Sequence, residues 1–214
     1  MDMKINCKLA IVALLSFVVF TASAQDYPVT FGVKAGVNLI NMAGDITDTD
    51  TKAALQGGVT FDYAFNPAFS LISGVELTTK GAKYHGTTFN DFFEDGYHDV
   101  FVNLNMMYLQ VPVYAAYKMQ VAPDTKFVFQ TGPYVAYGIG GKATIKDGIE
   151  KQQVNSFSTG VIKEFDFGFG VGAGVEFSHL VAKLGYEFGV INVVDSDVGR
   201  LQNRSAYLTL GYQF

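Results

Sequence analysis

Apolar and polar residues alternate along most of this chain. The last stretch shows it most plainly: Ala206, Leu208, Leu210, Tyr212 and Phe214 are separated by Tyr207, Thr209, Gly211 and Gln213. A period of two is the mark of a strand with one greasy face and one small or polar face. Eight such segments are predicted, at about 29–40, 55–65, 69–80, 103–119, 126–139, 165–177, 180–190 and the C-terminal stretch. In the sixth, Phe165, Phe167, Phe169, Val171, Ala173, Val175 and Phe177 alternate with Asp166, Gly168, Gly170, Gly172, Gly174 and Glu176. No segment repeats its apolar residues at helical spacing.

The connections alternate in length. Asn66-Pro67-Ala68, Ala122-Pro123-Asp124 and Ser178-His179 are tight turns. Residues 42–54, 81–102, 140–164 and 192–204 are read as long polar loops. Short turns at one end and long loops at the other are the pattern of an eight-stranded antiparallel up-and-down transmembrane β-barrel, with periplasmic turns and extracellular loops. The outer face must then be the uncharged one, since a Lys or Arg at the bilayer midplane costs about 2–4 kcal/mol. That places Lys34, Asp62, Glu76, Lys80, Lys118, Asp166, Glu176, Lys183 and Glu187 inside, as a lumen charge network. The outward aromatics gather near strand ends as membrane-interface girdles. Tyr63, Phe65, Phe69, Tyr117, Phe127, Phe129, Phe177, Tyr212 and Phe214 lie at the periplasmic end, and Tyr137, Phe165 and Phe188 toward the other. Tyr212 and Phe214 also form the expected assembly signal of the closing strand. Pro112 and Pro133 fall mid-strand in neighbours joined by the Pro123 turn. Each lacks a ladder N–H, so a bulge or irregularity is expected there, with lumen water or an inward side chain on the orphaned carbonyls.

The N-terminus reads differently. Lys4 and Lys8 precede an apolar run from Leu9 to Phe20, and Ala22-Ser23-Ala24 fits a cleavage site. Residues 1–24 are read as a cleaved signal peptide and 25–214 as the barrel domain; a retained N-terminal anchor is the rival reading. Cleavage would take the formal charge from −5 to −6, since Asp2, Lys4 and Lys8 leave with the leader. A mildly acidic chain argues against nucleic acid. The single cysteine, Cys7, lies in the leader, which leaves no thiol chemistry in the mature chain. Export and barrel together predict the outer membrane of a Gram-negative bacterium.

Three segments carry a family resemblance. Tyr108-Leu-Gln-Val-Pro112 is followed by Gly132-Pro-Tyr134 and Gly138, and then by Phe167-Gly-Phe-Gly170-Val-Gly-Ala-Gly174. With Phe31-Gly-Val-Lys-Ala-Gly-Val-Asn38 and the closing Gly211-Tyr-Gln-Phe214, they resemble the Bacteroidetes outer-membrane β-barrel family often labelled porin-family or PorT-like. The resemblance covers the mature chain. It implies a small eight-stranded barrel; the family name implies a pore, and PorT itself is tied to a secretion system.

Candidate chemistry is sparse. Inward acids and bases in so narrow a lumen read as an internal ion-pair network or as a continuous ion path, and the lumen glycines are expected to leave room for water. His85 and His98 share the loop 81–102 with Asp91, Glu94, Asp95 and Asp99, a set read as a solvated loop or a metal site; His179 sits in a turn. The glycines follow strand period, so no phosphate loop is credible. The expectation is no catalytic residue, no metal and no cofactor. Partners are outer-membrane lipid and the assembly machinery during insertion, with the chain itself a monomer. Loop 81–102, with Tyr84, Phe89, Phe92, Phe93, Tyr97 and Phe101, is the candidate surface for a surface or secretion-system partner, or a cap on the lumen. The functional readings are a structural or interaction role through the loops, a narrow porin-like channel, or a soluble periplasmic calycin-like barrel with its apolar face inward around a hydrophobic ligand.

Overall fold

The computed structural model describes residues 29–45, 49–89, 97–147, 150–158, 160–195 and 199–214. The leader and cleavage site, and Asp91, Phe92, Phe93, Glu94 and Asp95, lie outside the described residues. Among the described residues eleven strands run in chain order: β1 (Val29–Gly44), β2 (Thr49–Asp50), β3 (Lys52–Ala64), β4 (Phe69–Lys80), β5 (Lys83–Phe89), β6 (Tyr97–Ala122), β7 (Thr125–Asp147), β8 (Glu150–Asn155), β9 (Phe165–Phe177), β10 (Leu180–Gly189) and β11 (Leu201–Gln213).

Eight of them close a ring, β1-β3-β4-β6-β7-β9-β10-β11, with every neighbour antiparallel. Closure leaves no open edge within the ring, which is what hydrocarbon demands of backbone N–H and C=O groups. The last rung is made by the C-terminus itself: Val33 stands opposite Tyr212, and Phe214 N donates to Phe31 O at 2.8 Å.

Two expected loops are sheet instead. β6 has 26 residues and β7 has 23, against the roughly 9–11 that a tilted strand needs to span a bilayer. Their upper halves run on past the barrel rim and pair with β5 on one side and β8 on the other, while β2 adds two residues beside β5. The described parts of 81–102 and 140–164 are therefore largely sheet: with β2 they form the five strands β2-β5-β6-β7-β8 standing on the barrel. Their polar composition hid this, because both faces of a projecting sheet meet water and the period-two contrast fades.

The prolines do not shift the register. Pro112 pairs with Tyr134 and Ala115 with Thr131, the same register on either side of both prolines. The rungs between those pairs simply open. The Pro112 carbonyl accepts from Ser73 Oγ at 2.7 Å, a side chain on the outer face rather than in the lumen. The register does shift higher up, where Tyr108 pairs with Gly138 but Met107 with Gly140. Ile139 is the extra residue. Below it the odd-numbered residues of β7 point outward, as in exposed Phe129, Val135 and Tyr137. Above it the even-numbered residues do, because a one-residue slip exchanges the faces of a strand. Gly141, at φ +153°, sits beside the shift, where a Cβ would fall 2.2 Å from Asn105 O.

Candidate functional site

The lumen is where the inward charges meet, and its residues reach it by strand alternation alone. Nearest the tight turns, Lys118 Nζ lies 2.6 Å from Asp62 Oδ2 and 3.0 Å from Glu176 Oε1. Lys34 Nζ lies 2.7 Å from Glu76 Oε1. Higher up, Lys80 Nζ stands 3.1 Å from Asp166 Oδ2 and 3.9 Å from Glu187 Oε2. Lys183 Nζ donates to the neutral Gln130 Oε1 at 3.0 Å. All nine residues expected inside are thus on the lumen side, eight of them in ion pairs. Lys80 and Asp166 are almost wholly buried, at 1 % and 0 % exposure. A charge so far from water is tolerated only when paired and hydrogen-bonded.

Uncharged residues complete the network, and most of them were not singled out from the sequence. Gln110 Nε2 and Tyr114 Oη each donate to Glu187 Oε1 at 2.9 Å. Tyr134 Oη donates to Asp166 Oδ2 at 3.3 Å, and Asn203 Nδ2 to the same oxygen at 3.0 Å. The Lys80 ammonium also sits over the Tyr134 ring, 3.8 Å from its centre. Gln130 Nε2 donates to Tyr207 Oη at 3.1 Å, and Asn38 Nδ2 to Thr78 Oγ1 at 2.8 Å. The inward phase of each strand was the signal available for all of them.

The glycines of β9 do not leave water-filled room. A Cβ on Gly168 would stand 2.6 Å from Tyr134 Oη, one on Gly170 would stand 2.4 Å from Tyr114 Oη, and one on Gly172 would stand 2.8 Å from Tyr207 Oη. Three phenol heads occupy the spaces that three missing side chains vacate. The expected watery lumen is filled with tyrosine. What remains at the turn end is a cavity of about 30 Å³, lined by Lys34, Thr60, Asp62, Lys183 and Thr209 among others. That is room for roughly two waters.

The loop end is sealed differently. Met42, Ala82, Met106, Tyr108, Tyr134, Ala136, Val193, Val194 and Leu201 form one buried apolar cluster, with Leu104, Phe157 and Ile162 packed on it. Val193, Val194, Phe157 and Ile162 come from the two connections that flank β9 and β10. Those connections hold each other: Ile162 bridges Val194, Lys163 N donates to Val193 O at 2.8 Å, and Asp195 N to Val161 O at 2.8 Å. Phe157 lies on the bare backbone of Gly138, edge-on to Tyr108 at 5.8 Å. Among the described residues, the lid is made by Phe157, Ile162, Val193 and Val194, joined by Ala82 from the segment 81–102.

Outside, the barrel is apolar. Tyr63, Phe65, Phe69, Tyr117, Phe127, Phe129, Phe177, Tyr212 and Phe214 are exposed around the turn end, and Tyr137 and Phe165 near the other. Phe188 differs: it is half-buried, stacked on Phe169 with centroids 6.2 Å apart. Apolar outside and charged inside is the reverse of a calycin-like barrel. His179 stacks on Tyr212 at 5.5 Å, and its Nδ1 lies 3.0 Å from Gln213 O, so it braces the closing strand. His85, His98 and Asp99 are carried by β5 and β6, the two arms of one hairpin.

Comparison with known proteins agrees with this geometry. The family model for the outer membrane protein beta-barrel domain matches residues 23–195. No curated protein matches the chain. Among solved structures, Ail, the attachment invasion locus protein of Yersinia pestis, is similar at 14% identity and a TM-score of 0.43, covering 86% of this chain and 98% of that one. Neisserial surface protein A is similar at 13% identity and 0.45, covering 86% and 97%. OprG from Pseudomonas aeruginosa is similar at 9% identity and 0.44, covering 88% and 97%. With the family model spanning most of a chain whose ring is closed, charged within and apolar without, this protein belongs to the outer membrane protein beta-barrel domain family.

Proposed function

We propose that this protein is a non-catalytic barrel with a closed lumen, working in the outer membrane of a Gram-negative bacterium through the sheet and loops it presents outside the cell. One observation carries the reading: the lumen is filled along its length by ion pairs, tyrosines and an apolar lid. A side-chain-filled barrel of eight strands has nothing to transport. What it has to offer is surface, and the projecting sheet is part of that surface. Cleavage after Ala24, action as a monomer, and a surface or secretion-system partner meeting residues 81–102 belong to the same reading, as does the PorT-like likeness.

Planar-bilayer recording on the refolded barrel tests it. The expected result is a heat-modifiable, folded protein without discrete conductance steps. Steps that change with Glu176→Gln or Lys183→Gln would establish the porin-like channel instead.

A further inference from the structure

The shift at Ile139 has a consequence for charge. It turns Lys142, Thr144 and Lys146 to the outer face of the projecting sheet and Ala143 and Ile145 to the inner one. Across the ladder, Lys142 faces Asn105, Thr144 faces Asn103, and Asn103 faces Lys83 on β5. Lys83, Lys142 and Lys146 are all exposed. Lys142 and Lys146 are four residues apart on one strand, about 13 Å, and Lys83 stands two strands, about 10 Å, to the side of the point midway between them. Lys151 occupies the rung opposite Lys146 on β8. Lys52 lies below and is not part of this exposed set, being buried on the inward phase opposite Ile40. Lys52 Nζ is held by Asn103 Oδ1 at 2.7 Å, by Asn105 Oδ1 at 2.9 Å and by Leu104 O, all neutral acceptors. The same strands also carry acids: Asp50 stands opposite Lys83, Asp99 lies two residues beyond Phe101, the partner of Lys146, and Asp147 pairs with Glu150; Glu164 accepts from Tyr137 Oη. In a chain whose formal charge is −5, three exposed lysines, Lys83, Lys142 and Lys146, thus share one face.

The placement names the occupant. This outer face continues the lipid-facing side of the barrel, where Met107, Tyr137 and Ile139 are exposed and apolar. Asn105 and Lys142 lie two residues above Met107, about 7 Å along the strand, and Lys146 lies six residues above, about 20 Å. A phospholipid headgroup layer is only roughly 5–7 Å deep. Lysines spaced up to 20 Å along the strand instead match a headgroup built of phosphorylated sugars. We propose that Lys83, Lys142 and Lys146 dock the phosphates of an outer-leaflet glycolipid headgroup against the outer face of the projecting sheet. The proposal rests on the outer-membrane assignment and not on a closed lumen, so conductance, if found, would leave it standing.

The test titrates the folded barrel, in a zwitterionic detergent, with bisphosphorylated lipid A and with the same lipid dephosphorylated. Native mass spectrometry counts the adducts, and heat-modifiable migration verifies the fold of each variant. The expected result is binding of the phosphorylated lipid alone, weakened at least tenfold by salt or by combined Lys83→Gln, Lys142→Gln and Lys146→Gln. The three Lys→Arg changes together should preserve it. Equal binding of the dephosphorylated lipid, or an unaltered affinity in the glutamine variant, would overturn the proposal. So would binding of a soluble sulfated oligosaccharide, lost in the glutamine variant, at concentrations below those at which the phosphorylated lipid binds, since the face would then take a polyanion from outside the membrane.

Discussion

At the scale of single residues, the lumen works by complementarity between missing and oversized side chains. Gly170 has no Cβ, and Tyr114 uses the space to bring its hydroxyl to Glu187. Gly170→Val should therefore overpack the lumen and cost about 1–3 kcal/mol, read as a lower urea midpoint of the refolded barrel. An unchanged midpoint would mean that the tyrosine has somewhere else to go. Lys118 is a second sensitive point, because one ammonium serves both Asp62 and Glu176. Lys118→Met strands two buried carboxylates and should cost about 3–5 kcal/mol. Adding Asp62→Asn and Glu176→Gln should recover most of that loss at neutral pH. If the triple variant were as unstable as the single one, packing and not charge would be the role of Lys118. The nine inward charges were legible from alternation, since each falls on the opposite phase from an uncharged face. Their pairings were not, because Lys80 and Asp166 are 86 positions apart in sequence.

At the scale of elements, the bulge at Ile139 decides which residues each face of the projecting sheet presents. Deleting Ile139 should restore a single phase along β7 and exchange the faces of the residues above it. The sequence has one cysteine, Cys7, so in a Cys7→Ser background single cysteines report this cleanly. In the parent protein, Lys142→Cys should label faster with a membrane-impermeant maleimide than Ala143→Cys. Without Ile139 the order should reverse, and an unaltered order would show that the phase is set by packing above the rim. Prolines drew attention in the sequence because a missing N–H is a rule that can be read residue by residue. A bulge between Gly138 and Gly140 depends on which rung of β6 each residue meets, and no local feature of the chain announces that. The long strands were missed for a related reason: a half-exposed sheet of Lys, Thr, Asn and Gly looks like a loop when only composition is seen.

At the scale of the whole molecule, closure depends on the last strand. β11 pairs with β1 over 13 rungs, from Gly44 opposite Leu201 to Gly32 opposite Gln213. Phe214 adds a backbone bond to Phe31, and its ring packs on Tyr212 at 5.4 Å. Removing Phe214 should lower the amount of barrel assembled in the membrane several-fold while leaving the refolded protein close to its original stability, because a single terminal hydrogen bond is worth only about 1 kcal/mol. Quantifying outer-membrane levels beside in vitro unfolding would separate the two. Undiminished membrane levels would remove the terminal aromatic from any role in assembly.

The sequence by itself determined the class of fold, the number of strands in the ring and the facing of most residues within that ring. These follow from a period of two read against a solvent that tolerates no charge, and such a rule is local. The tertiary structure alone decided that the lumen is shut and that the described parts of 81–102 and 140–164 rise as a sheet. It also decided that the lid comes chiefly from the loops around β9 and β10. Filling a cylinder requires side chains from opposite walls to fit one another, Tyr114 into Gly170 and Lys80 onto Asp166. That fit depends on stagger, bulges and closure, which exist only once the last strand has met the first.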